Sequence, residues 1–382
     1  MKTGGIHFKI LFYLTVSMGM VNEPMAQGHA RDSGIRIGIL PTGRQNAITD
    51  IAGIKVGHVT RIEGTSIRTG VTAILPHEGN LFQEKVPAAV FVGNGFGKLA
   101  GVTQIEELGN LESPIILTNT LSVAAGITGI VSYTLSQPGN ENVQSVNAVV
   151  GETNDGYLND IRGRHISEAD ILAAIHSASS GPIAEGNVGA GTGTVCFGFK
   201  GGIGTASRQI PASLGGYTVG VLVQSNFGGV LQIDGVPVGV ELGQYSFSEH
   251  ITSADGSCMI IVATDAPVLD RNLKRMAQRA MMGLAKTGGI ASNGSGDYVI
   301  AFSTFEANRI PHQNPPLKAL QREELANEDM SALFLAVIEA TEEAIINSLF
   351  AAQDMEGKDG RKIKALPKEK VLEIMRKYGR IE

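Results

Sequence analysis

The chain has 382 residues, a formal net charge of −6 and no run of Lys or Arg, which excludes nucleic acid as its main partner. With 43% hydrophobic and 18% charged residues it can bury a core, so intrinsic disorder is excluded. Gly is in excess, 49 residues against a usual share of about 7%, yet it has no three-residue period and only 14 Pro accompany it, so collagen and low-complexity linker are excluded too. The glycines must serve turns and close backbone approaches inside a packed fold.

In chain order, Lys2 and Lys9 precede an apolar stretch, Ile10 to Val21, too short to span a bilayer comfortably. Gly28 and Ala30 offer a cleavage site after Ala30, and Ala26 is a second candidate. Residues 1–30 therefore read as a secretory signal peptide. A tail on a cytoplasmic protein is the alternative. The mature protein is expected to be periplasmic or secreted, with no membrane anchor after signal removal.

From Ser33 to Val150, short β-branched runs bounded by turn residues read as buried strands: Ile35–Ile39, Val71–Leu75, Ala88–Gly93, Pro114–Thr118 and Ser145–Gly151. His58 ends a further strand-like run. Leu121 to Ser136 reads as a buried helix made thin by small residues. Ser167 followed by Asp170 caps a short amphipathic helix. Asn187 to Gly204 is the densest Gly stretch, but neither a helix pattern nor a GK[ST] ending follows, so it is not a phosphate loop. Thr194–Lys200 instead alternates like a strand that turns at Gly201–Gly202. Tyr217–Gln224, Met259–Thr264 and Val299–Ser303 are strands. Pro267 opens a long helix closed by Gly288–Gly289, and Ser331 to Ala352 forms a second. Strands and helices in both halves imply layered α/β packing.

No HExxH, paired-Cys zinc pattern or G-x-S-x-G elbow occurs, and the histidines do not cluster. Cys196 and Cys258 read as small buried hydrophobes. Nothing calls for a metal or an organic cofactor. Two polar segments stand out. Gly151 to Asp160 (GETNDGYLND) follows a strand, where α/β folds present ligands. Asp255-Gly256-Ser257 abuts another strand. It can be a plain turn, or a self-cleavage point at which a hydroxyl attacks the preceding Gly carbonyl. Cleavage would leave Ser257 with an α-amine of pKa roughly 7.7–8.0, a usable base at neutral pH.

GETNDGYLND, GNVGAGTGTVCFGFKGGIGTASR, VQSNFGG, DGS with its strand ending VATDAP, and SNGSGDYVIAFST together resemble the DmpA-type family. That family comprises the β-aminopeptidases and the L-aminopeptidase/D-amino-acid esterase-amidases. The likeness runs from about Gly34 to Leu349. It implies a four-layer αββα sandwich like that of the N-terminal-nucleophile hydrolases. It also implies a precursor cut at Gly256–Ser257 into an α chain, residues 31–256, and a β chain, 257–382, that stay together and assemble into a higher homo-oligomer of heterodimers. Ser257 matches the nucleophile, Ser295 the second catalytic serine, and Asp297 falls where the family usually has Glu. Asn226 matches an oxyanion-stabilising amide, Tyr157 a tyrosine near the scissile carbonyl, and Glu152 the carboxylate for the substrate's ammonium. The implied function is a cofactor-free serine aminopeptidase acting on small peptides, aminoacyl amides or esters. A self-processing acyltransferase and an uncleaved exported ligand-binding protein are the alternatives.

Overall fold

Strands that are apolar on both faces must be covered on both. The computed structural model describes Met1 and residues 28–248, 256–312 and 319–382. Most of the expected signal peptide and Asp255 lie outside these residues. The strands are β1 (Lys55–Glu63), β2 (Ile67–Leu75), β3 (Glu84–Gly95), β4 (Leu99–Ala100), β5 (Asn110–Leu111), β6 (Ile115–Asn119) and β7 (Val149–Thr153). They continue as β8 (Val195–Cys196), β9 (Phe199–Lys200), β10 (Gly202–Gln209), β11 (Thr218–Asn226), β12 (Ser257–Thr264), β13 (Gly296–Ser303) and β14 (Ile310–Pro311). The helices are α1 (Val102–Leu108), α2 (Val123–Ser136), α3 (Glu168–His176), α4 (Val238–Glu241), α5 (Asp270–Lys286), α6 (Ser331–Ala351) and α7 (Lys368–Lys377).

One sheet has the order β1-β2-β6-β7-β4; the other runs β10-β11-β12-β13-β3-β14, with β5 on β3. Ile116 and Val150 of the first sheet pack outward on Ile171 of α3. Its inner residues, Leu117 and Val149, meet Leu222, Ile261 and Ile300 of the second sheet in the central core. Val221 and Ile260 on the far face pack against Leu273 of α5 and Ile345 of α6. This is the expected αββα sandwich. In β12 all eight residues are buried, because sheet neighbours flank it and a layer covers each face. It pairs antiparallel with β11 and parallel with β13.

A buried ion network ties the layers together. Glu339 and Glu343 are one turn apart on α6, so they share a face. Fully buried Arg208 on β10 bonds Glu339 at 3.0 Å and Glu343 at 2.5 Å, and donates to Ile37 O at 2.7 Å.

Several sequence expectations are corrected. Ile35–Ile39 is not a strand: the Ile39 and Leu40 N–H groups donate to the Glu339 carboxylate, and no strand lies alongside. The strand holding His58 runs on to Glu63, and that ending at Gly151 is shifted to Val149–Thr153. The helix after Pro267 begins at Asp270. The expected helix from Leu121 begins at Val123, and α2 is buried on one side only, with Ile127 and Leu135 exposed outside. The Gly-rich hairpin turns at Phe197–Gly198, not at Gly201–Gly202, and a strand resumes at Gly202.

Candidate active site

Strand register brings the site together. At the end of β11, Asn226 stands beside Ser257, the first residue of β12, which stands beside Gly296, the first residue of β13. Gly296 in turn faces Gly95 at the end of β3. The C-terminal end of β7 in the other sheet supplies Glu152, and the loop after it Tyr157. A cavity of about 630 Å³ opens here, lined by Ser257, Asn226, Glu152 and Tyr157 among others.

Ser257 is 4% exposed. Its hydroxyl donates to Gly256 O at 2.6 Å, and the Gly296 N–H reaches both Gly256 O at 3.3 Å and Ser257 Oγ at 3.4 Å. Buried Ser295 donates to Asp297 Oδ1 at 2.8 Å, so its proton points at the carboxylate. Burial pushes Asp297 up to about 6, against the pull of the Ser295 hydroxyl and the Cys258 N–H. Its Oδ2 has no hydrogen-bond partner among the described residues.

Asn226 has its amide orientation set from both sides: Val195 N–H donates to Oδ1 at 2.9 Å, and Nδ2 donates to Asn154 O at 3.2 Å. One Nδ2 proton is left over beside the cavity. Glu152, 2% exposed, accepts from Lys98 N–H at 2.9 Å and from the Thr120 hydroxyl. Tyr157 is half exposed on the rim, its ring under the Arg361 guanidinium at 5.1 Å.

Two further residues, Lys200 and Asn94, were given no role from sequence. Lys200 is fully buried and donates to Gly191 O at 2.9 Å and Gly201 O at 2.7 Å, closing the base of the β8–β9 hairpin that carries Val195. Burial holds Lys200 down to about 7 and lifts Asp155 to about 7 and Cys196 to about 12. Asn94 on β3 clamps the loop before β13, donating to Ser292 O at 2.9 Å and to Ser295 O at 2.5 Å. Asn154 belongs to the polar segment that stood out in the sequence, whereas Thr120 and Asn94 lie in unremarkable sequence, and only tertiary pairing gives them a role. Among the described residues no group of three or more His, Cys, Asp or Glu could hold a metal ion, and no helix is long and apolar enough to cross a membrane.

The sequence matches peptidase family S58 over residues 46–363. It is 40% identical to the β-peptidyl aminopeptidase BapA of Sphingosinicella microcystinivorans, covering 98% of this chain and 99% of that one. The fold superposes on a β-aminopeptidase from a Burkholderia species with a TM-score of 0.85 and 43% identity, covering 92% of this chain and 99% of the other. The L-aminopeptidase D-Ala-esterase/amidase of Ochrobactrum anthropi, a prototype for the serine aminopeptidases and a variant of the Ntn hydrolase fold, also gives 0.85, at 37% identity over 93% of this chain and 99% of that one. The chain belongs to peptidase family S58 and is an aminopeptidase, a peptide hydrolase on an N-terminal-nucleophile-type fold.

Proposed function

We propose that the chain activates itself by cutting Gly256–Ser257 and then removes N-terminal β-amino acyl groups from short peptides, amides or esters. The observation that carries this reading is the Ser257 hydroxyl, 2.6 Å from the preceding carbonyl oxygen and set in strand register between Asn226 and Gly296. Ser257 Oγ attacks the Gly256 carbonyl carbon, the acyl group moves from nitrogen to oxygen, and water hydrolyses the ester. The products are a Gly256 carboxylate and a free Ser257 α-amine. In turnover the same hydroxyl attacks the substrate's acyl carbon and its proton passes to that amine. The spare Asn226 N–H and the Gly296 N–H are placed to meet the oxyanion. Glu152 receives the substrate's ammonium, Tyr157 walls the cavity, and the Ser295–Asp297 pair holds a proton behind the nucleophile. The β-amino acyl choice rests on the relatives' names.

The two chains would stay together because the cut leaves β11 and β12 paired over eight residues, Val219 to Asn226 with Ser257 to Thr264. Export, and assembly of the paired chains into a higher homo-oligomer, belong to the same proposal. Ala26 suits the leader cut better than Ala30. Ala30 is fully buried with its N–H on Asn347 Oδ1 at 3.1 Å, and His29 pairs with the buried Glu185 at 2.8 Å.

Intact mass, denaturing gels and turnover of β-alanyl p-nitroanilide test the reading together. The expected result is a first fragment starting at Gln27, a second starting at Ser257, release of p-nitroaniline, and a single inert chain for Ser257→Ala. A wild-type chain that stays whole and inert, or a Ser257→Ala chain that still splits at Gly256, would overturn it.

A further inference from the structure

The proposed chemistry leaves one cavity-lining cation without a task. Lys98 is exposed and lines the cavity. Its backbone N–H donates to Glu152 Oε1 at 2.9 Å, but its ammonium has no hydrogen bond or ion pair among the described residues. Glu152 and Lys98 are the acidic and basic side chains among the cavity's lining residues, one of each sign. They do not neutralise each other, since Glu152 is bonded instead by the Lys98 backbone and by Thr120. A cavity charged in this way is complementary to a small zwitterion.

We propose that Lys98 is a specificity-determining residue that selects acyl groups bearing a carboxylate beside the free ammonium, which makes β-aspartyl peptides a substrate class of this site. The proposal rests on Glu152 being the ammonium site. A β-aspartyl group is a β-amino acyl group with one added carboxylate, carried on the same carbon as the ammonium. With that ammonium on Glu152, the carboxylate lies close to a residue whose own backbone touches Glu152. Lysine, a strongly hydrated point charge on a flexible stem, can follow it there. The reaction is the same hydrolysis: the acyl C–N bond breaks, water supplies OH to the acyl carbon and H to the leaving amine, and free aspartate departs. A carboxylate on the leaving amino acid would lie on the far side of the scissile bond, away from the Lys98 backbone anchor.

The test uses the self-processed protein with β-aspartyl and β-alanyl p-nitroanilides, which differ only in that carboxylate. Substituting Lys98 keeps the backbone bond to Glu152, so the side-chain charge is probed alone. The β-aspartyl over β-alanyl ratio of kcat/KM should fall roughly fivefold in Lys98→Met, mainly through KM, the size expected of a partly solvated ion pair. Lys98→Arg should restore the ratio. An unchanged ratio in Lys98→Met with both anilides hydrolysed overturns the proposal. So does a loss that appears instead between β-alanyl-glycine and β-alanyl-glycinamide, which would put the carboxylate on the leaving side. If neither anilide is hydrolysed by a chain that has not split, the aminopeptidase reading fails first, and gels read that separately.

Discussion

Asp297 is the residue whose replacement should separate stability from catalysis. Its carboxyl is 1% exposed, and burial raises it from 3.8 to about 6. The protonated form is therefore the one the fold favours. The stability this group contributes is complete below the unfolded value and is lost as pH rises through about 6. A rise of about two units corresponds to about 3 kcal/mol at full ionisation. Asp297→Asn keeps an acceptor for the Ser295 hydroxyl but cannot ionise. The variant should match the parent near pH 4 and be more stable by about 3 kcal/mol at pH 8. Urea unfolding followed by circular dichroism measures this, in a Ser257→Ala background so that one chain unfolds. Buried Asp155 and Lys200 also titrate near 7, but both are common to the two proteins and cancel in the difference. In the processed enzyme the reverse holds: kcat/KM should lose its acid limb near pH 6, and with it most of its activity, in Asp297→Asn. A variant equally stabilised at pH 4 and pH 8, or destabilised at pH 8, would refute the assignment of a buried proton here.

Asn226→Ala removes the side-chain N–H beside the cavity, and should lower kcat about 10²- to 10³-fold with little change in KM. A main effect on KM would assign Asn226 to substrate binding. At Gly97 a methyl group would meet Tyr298 Cε2 at 2.9 Å and Glu152 Oε1 at 3.3 Å. Gly97→Ala should therefore raise KM for substrates with a free amine more than for N-acylated esters. Equal losses on both would dissociate Glu152 from amine recognition.

What was legible in the sequence is what depends on local pattern. β12 and β13 showed as apolar runs because both faces are buried, and α5 and α6 showed through their spacing. The edge strand β1 was only half visible, since Thr60 and Glu63 are exposed, Arg61 pairs with Asp170, and none of the three carries an apolar signal. Ile35–Ile39 looks like a strand because Ile35 and Ile37 are core residues, yet its backbone is satisfied by Glu339 and Arg208, side chains 300 and 171 residues away. The Gly-rich hairpin was misplaced for a related reason. Phe197 takes φ 53° and Gly198 φ 78°, so a phenylalanine occupies a left-handed position that sequence reading reserves for glycine. Gly201 and Gly202 are needed for contact instead, since a methyl group on either would lie 2.4 Å from Ser225 O or Gly186 O.

The same distinction bears on why Gly precedes Ser257. A residue without Cβ would leave the Gly256 carbonyl free to twist toward Ser257. The structure gives another reason: a methyl group at Gly256 would fall 2.1 Å from Asn226 O and 2.5 Å from Phe227 Cα. Gly256 is demanded by the close approach of one strand's start to the end of its neighbour. That approach aligns the site, because it holds Ser257 opposite Asn226 and brings Gly256 O to the Gly296 N–H. In the proposed reaction the cut would release Gly256 from this contact while Ser257 stays in register in β12. The Gly296 N–H, shared between Gly256 O and Ser257 Oγ beforehand, would then be free to meet the oxyanion of an incoming substrate. One donor would thus serve both self-cleavage and turnover.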